Sequence, residues 1–171
     1  STNGSPLMSN PLTSVDEVLF RQIHPNFIQD GEPASDRFKP QPNDAGLMSL
    51  DRGSLTTAAA SHALYTSTGR QSAAVFGVTV GEFQAETVPC HDDPLAATAT
   101  TPANPAHALA DYTGHADKAQ KNISKRLKRK AVARGNFIPR PRKSDDKSKP
   151  SPDLVPCYFP LRQVSAMFNM R

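Results

Sequence analysis

The side chains best suited to chemistry in this chain are cations. Thirteen of its 20 Lys and Arg residues fall within 118–149, where only Asp145 and Asp146 oppose them. Up to Asp117 the count is 5 basic against 13 acidic residues, or −8; residues 118–149 hold 13 against 2, or +11; residues 150–171 add 2 against 1, or +1. The formal charge of +4 is therefore the small sum of an acidic body and a strongly basic arm. Charge segregated in this way points to an anionic partner, which can be nucleic acid, a membrane face or an acidic protein. It carries no reaction by itself.

The arm has two parts. Residues 117–134 read as a helix that Asp117 can cap and Gly135 can end. Ala119, Ile123, Leu127 and Ala131 recur within an arc of about 120° at the helical period, which would dock on the body. Lys118, Lys121, Lys125, Lys128 and Arg129 gather roughly opposite, and Arg126 adds to them. Lys130 and Arg134 fall inside the apolar arc, so the last turns are expected to project beyond the body. The stretch from Lys118 to Arg134 contains no acid, and like charges at i,i+4, such as Lys121 with Lys125 and Lys125 with Arg129, repel. An anionic partner would relieve that repulsion, although the same charges also suit a merely solvated helix face. Beyond the helix, Arg140, Arg142 and Lys143 are spaced by Pro139 and Pro141 in a polyproline-II-like segment.

Phe137 is the single aromatic of the arm, so base stacking has little to work with. Contact with RNA or DNA is expected to run through the backbone and to be weakly sequence-selective. A membrane surface suits the helix poorly, because its apolar arc is narrow and short of Phe and Leu.

Motifs that carry catalysis are missing from the sequence. GxxxxGK[ST], GxGxxG, HExxH and GxSxG do not occur, and no cofactor is expected. Cys90 and Cys157 fall in no CxxC spacing and read as two reduced thiols of a cytoplasmic protein. Cys90, His91, Asp92 and Asp93 resemble a metal cluster only in composition, since neighbours on a strand face opposite ways; no metal is expected. No apolar run is long enough for a membrane span, and the start lacks the pattern of a secretory signal. Met8 reads as the native start, with residues 1–7 added ahead of it. Asn122-Ile-Ser124 matches the glycosylation pattern by coincidence.

A second constellation lies around Arg21-Gln22-Ile23-His24-Pro25. On one strand Gln22 and His24 share a face while Ile23 packs behind. Asp51-Arg52 would end another strand, and Tyr65, Glu82 and His107 could come near. In the plainer reading, Arg21 and His24 make structural hydrogen bonds at a strand end. The string resembles the opening Arg or His strand of ADP-ribosyltransferase-like folds, which implies contact of Arg21 or His24 with a nucleotide. The STS-type strand and ExE pair of that family do not follow. The segments RQIHPNFIQDG, GVTVGEF and NPAHALADYT also resemble small uncharacterised bacterial proteins over about residues 18–138, which implies a compact domain and no activity.

These groups must be positioned by a small α+β domain. Residues 15–24 end in a strand that Pro25 closes. Residues 26–44 are rich in turn signals, and 47–50 make a short strand. Residues 54–65 form an Ala-rich helix capped by Thr56 or Thr57. Residues 72–80 alternate two apolar faces and predict a central strand covered on both sides. Residues 86–90 and 106–113 add strands around a Pro-bounded loop. The expected organisation is a leader at 1–14, a domain at 15–135 ending in the basic helix, a Pro-rich linker at 136–153 and an apolar segment at 154–171.

Within that last segment Leu161, Val164 and Phe168 stand at i, i+3 and i+7, with Phe159 and Met167 beside them. They would dock on the protein's own body or on a partner groove. The leading reading is thus a nucleic-acid-binding accessory protein that recruits a protein through its tail. A nucleotide-using transferase or toxin-like enzyme with a site near Arg21 and His24 is one alternative. An adaptor or immunity-type protein holding an acidic partner is another.

Overall fold

A computed structural model describes residues 9–138. Strand β1 (Val18–Ile23) is followed by a 3-10 turn (Pro25–Phe27), by β2 (Ile28–Gln29) and β3 (Glu32–Pro33), and by a second 3-10 turn (Ser35–Phe38). Then come β4 (Leu47–Arg52), helix α1 (Ala58–Ser67), β5 (Ala74–Thr79), α2 (Val80–Ala85), β6 (Cys90–Asp92), β7 (His107–Asp111) and α3 (Asp117–Arg134). The class is α+β. Five strands form one sheet in the order β5-β1-β4-β7-β6, with every neighbouring pair antiparallel, and β2 with β3 makes a separate small hairpin.

Strand alternation sorts the sheet into two faces. Leu19, Arg21 and Ile23 lie opposite Val78, Phe76 and Ala74, while Met48 and Leu50 lie opposite Ala110 and Ala108. This face meets the buried stripe Ile123, Leu127 and Ala131 of α3, and together they form the main core. The other face carries Phe20, Gln22, Asp51 and His107, and α1 packs against it. Gln22 Nε2 donates to Ser61 Oγ at 2.7 Å, and the Ser61 hydroxyl donates to Asp51. Thr57 caps α1 by accepting from the amide of Ala60.

The strand of residues 72–80 does not sit in the middle of the sheet. β5 is an edge strand, yet Ala74 through Val78 are all buried. The chain after α3 explains this. Asn136 Oδ1 accepts from the Val75 amide, Phe137 donates its amide to the Val75 carbonyl, and Arg134 Nη1 donates to the Gly77 carbonyl. An open strand edge is thereby covered, which removes a template for pairing with another chain. The far edge is treated likewise: Leu12 donates to Cys90, and Asp92 donates to Asn10.

Several boundaries differ from those read off the sequence. The leader of 1–14 is too long, because Leu12 is buried and residues 10–12 run along β6. The expected linker begins too early, since Asn136 and Phe137 belong to the fold. Strand β5 ends at Thr79, where a capping box with Glu82 starts α2, and β6 begins only at Cys90. The N-cap of α3 is Ala116, whose side chain makes no cap; Asp117 instead enters the first turn and pairs with Lys121. The last turns of α3 do not project: Ala131 is wholly buried and Arg134 is bonded to the sheet edge. The anchors Phe159, Leu161, Val164, Met167 and Phe168, with Arg140, Arg142 and Lys143, lie outside the described residues.

Candidate functional site

Helix α3 stands against β3, β5 and the turn Ser35–Phe38, with its buried stripe inward. Its lack of acids does not leave its cations without counter-charge, because acids come from elsewhere in the fold. Arg126 grips Glu86 with bonds of 2.6 and 2.8 Å, Lys128 meets Glu32 at 3.0 Å, and Arg134 meets Glu82 at 2.8 Å. Lys121 pairs with Asp117 at 2.8 Å. The carboxyl of Glu86 is held below its ordinary value, chiefly by the hydrogen bonds from Arg126. The remaining four, Lys118, Lys125, Arg129 and Lys130, are exposed and bonded to no acid among the described residues.

Their directions differ. At 100° per residue, Lys118, Lys125 and Arg129 fall within about 40° of one another, opposite the buried stripe, while Lys130 lies well to one side. The helix therefore carries an outward ridge of three cations, flanked by the weakly held Lys121. The residues described carry 13 basic and 13 acidic side chains, so this ridge is a local positive surface on a body with no net formal charge. The excess of +4 comes from residues 139–171, with 7 basic against 3 acidic.

The second constellation is a crevice. β1 pairs with β5 along all six of its residues but with β4 only at Leu19–Arg52 and Phe20–Asp51. Beyond that point the two strands part. The Arg21 side chain takes the place of the missing ladder, donating through Nη1 to the Ser49 carbonyl at 2.8 Å and through Nε to the Arg37 carbonyl at 3.0 Å. Burial lowers the pKa of Arg21, and nearby Asp44 opposes that effect. A cavity of about 680 Å3 opens here and admits Arg21 from the α3 side of the sheet, together with Gln22, Asp51 and His107 from the α1 side.

His24, Tyr65 and Arg70 also line this cavity. His24 uses Nδ1 to accept from the Asn26 amide, starting the turn that follows β1. Asp51 is nearly sealed and accepts from Asn104 at 2.8 Å as well as from Ser61. His107 faces Asp51 across the ladder, and its Nδ1 lies 3.0 Å from the Asp93 carboxylate. Of the residues expected near Arg21, Asp51, Tyr65 and His107 are there. Arg52 and Glu82 are not: Arg52 binds Glu17 and Asp92, and Glu82 binds Arg134.

Arg37, Asp44, Arg70 and Asn104 are among the cavity residues that sequence reasoning missed. They sit in turns and loops distant in sequence, and only the topology joins them. The capping box Thr79-Val80-Gly81-Glu82 was a readable signal for α2, and through it for the pairing of Glu82 with Arg134. Among the described residues no group of His, Cys, Asp and Glu is arranged to hold a metal, and no helix is long and apolar enough to cross a membrane. Burial pushes the Cys90 thiol up to about 12, which suits a core side chain. No family model matches the chain, and no curated protein or solved structure matches it either.

Proposed function

We propose that this protein is a nucleic-acid-binding accessory protein of the cytoplasm, contacting the phosphates of RNA or DNA through α3 and the basic segment after it. The observation that carries the reading is the outward ridge of Lys118, Lys125 and Arg129, aligned on one line of the helix and bonded to no acid among the described residues. Cations that complete the fold sit elsewhere on the helix, at Arg126, Lys128 and Arg134. That division is what a contact surface requires, because ridge charges can meet phosphates without any internal pair being broken. Recognition of particular bases has little support, since the ridge presents point charges and no stacking platform.

The test is a binding assay with labelled RNA and DNA duplexes and single strands, monitored by fluorescence anisotropy. Replacing Lys118, Lys125 and Arg129 with Gln should weaken binding at least tenfold for every sequence, which corresponds to about 1.4 kcal/mol. Affinity equal to the parent protein would remove the ridge from consideration. Displacement by polyglutamate as effective as by nucleic acid would instead favour an adaptor that holds an acidic protein.

A second reading, a nucleotide-using enzyme with a site near Arg21 and His24, draws on one observation. Both residues line a cavity that also holds Asp51 and an acid-oriented His107. Such a group could move a proton. Turnover of a nucleotide that survives in the Lys118, Lys125 and Arg129 variant, and stops in His107→Gln, would carry that reading.

A further inference from the structure

The crevice between β1 and β4 has a chemistry of its own, separate from the ridge on α3. Two of the N–H groups of Arg21 are used on the Ser49 and Arg37 carbonyls, and Arg21 is bonded to no carboxylate among the described residues. His91 Nδ1 is the single buried side-chain nitrogen or oxygen without a partner among those residues, so the unbonded Nη2 of Arg21 is not sealed away. The guanidinium is thus fixed by neutral carbonyls, with its Nη2 edge unbonded and the charge of Asp44 near by.

The surroundings add to this. Arg70 also lines the cavity, forms no ion pair among the described residues and lies over the Tyr65 ring at 5.5 Å. Arg37 is already held by Asp36 and Gln41, and it stacks on Phe27. The acids of the cavity are both occupied: Asp51 by Ser61 and Asn104, Asp44 by the Gln41 amide. The donors to both acids are neutral, so the two carboxylates stay in the lining with the arginines; its unpaired cations are Arg21 and Arg70, the latter next to an aromatic ring.

We propose that the β1–β4 crevice binds a small phosphate ester of about mononucleotide size, its phosphate on Arg21 and Arg70 and its planar or apolar body against Tyr65. A guanidinium held in place at Arg21 and a second, exposed one at Arg70 suit a phosphate, whose oxygens accept paired N–H donors. The cavity of about 680 Å3 lies within the usual range for small-ligand sites. The parted strands supply the entry, and the Arg21 bonds to main-chain carbonyls hold the guanidinium in place before the ligand arrives.

The experiment uses the full chain carrying Lys118→Gln, Lys125→Gln and Arg129→Gln, so that anions gathered on the α3 ridge cannot contribute and the outcome is independent of nucleic-acid binding. Melting is followed with pyrophosphate, adenosine 5′-monophosphate or citrate, ionic strength being matched with sodium chloride. Adenosine 5′-monophosphate is expected to raise melting by about 3–5 °C at tenfold its Kd. Pyrophosphate should raise it less, and citrate should leave it unchanged. Arg21→Gln should abolish the rise. Because that change also removes two structural hydrogen bonds, the deciding variant is Arg70→Gln, at an exposed residue whose side chain donates no hydrogen bond among those described; it should at least halve the rise. No rise with either phosphate compound overturns the proposal. A rise with citrate alone, or one undiminished in Arg70→Gln, overturns it equally.

Discussion

Arg134 donates to the Gly77 carbonyl at 2.7 Å and to the Glu82 carboxylate at 2.8 Å. A residue that counts as one more charge of the basic run is therefore a fastener between α3, the edge of β5 and the start of α2. Arg134→Gln should cost roughly 1–2 kcal/mol, because a charge-assisted bond to a carbonyl and a partly exposed ion pair go together. Urea unfolding measures this. Nucleic-acid affinity in the same variant should stay within about twofold of the parent, since the residue is not on the ridge.

The same contact sets a pH dependence. Burial pushes the Glu82 carboxyl up, but the bonds from Arg134 and the Thr79 amide outweigh it and leave the group below its ordinary value of 4.5. Glu17 behaves alike, with burial overcome by Arg52 and Ser54. A carboxyl depressed in the folded state contributes stability that is complete above 4.5 and is lost as pH falls through the folded value. Unfolding free energy should therefore drop between about pH 5 and pH 3, and less so in Glu82→Gln. An equal drop in that variant would show that Glu82 is not a source of it.

Much of this architecture can be read from the residues. The alternation in β1, the Thr57 cap of α1 and the Ile123, Leu127, Ala131 stripe all lie close in sequence and follow local periods. The place of β5 could not be read, because an edge strand with a covered edge shows the same apolar pattern as a central one. What covers it, Asn136 and Phe137, sits 61 residues or more along the chain. The candidate site divides in the same way. Arg21 and His24 stood out as a polar string on a strand, whereas Arg70 and Asn104 enter only through the topology. The sorting of α3 cations into bonded and outward-facing ones depends on Glu32, Glu82 and Glu86, which no spacing within the helix could reveal.

Gly77 marks how closely Phe137 is fitted. A Cβ there would lie 2.6 Å from Val18 Cγ1 and 2.8 Å from Phe137 Cε2, while the Phe137 ring stands edge-on to Phe20 with centroids 5.2 Å apart. Gly77→Ala should destabilise by about 1–3 kcal/mol through overpacking. The cost should shrink in a Phe137→Ala background, as neighbouring changes do not add. Equal costs in the two backgrounds would place Phe137 away from β5.

The buried stripe of α3 offers a fourth check. Ile123 is 3% exposed and Leu127 is fully buried, so either one changed to Asp leaves a charge in the core. Each substitution should cost on the order of 2–4 kcal/mol, visible as a lower urea midpoint. Parent-like unfolding would mean that the helix does not hold to the sheet.

The salt dependence of nucleic-acid binding decides whether the α3 ridge meets phosphates. The dissociation constant for a DNA duplex is measured across a series of salt concentrations, for the parent chain and for the Lys118, Lys125 and Arg129 to Gln variant. Each phosphate contact contributes about 0.9 to the slope of log K against log salt, so losing the ridge should flatten the slope by about 2–3 units. Arg126→Gln, which removes a cation already bonded to Glu86, should leave the slope nearly unchanged. Slopes that coincide for the parent and the ridge variant would contradict the assignment of α3 as the phosphate-contacting surface.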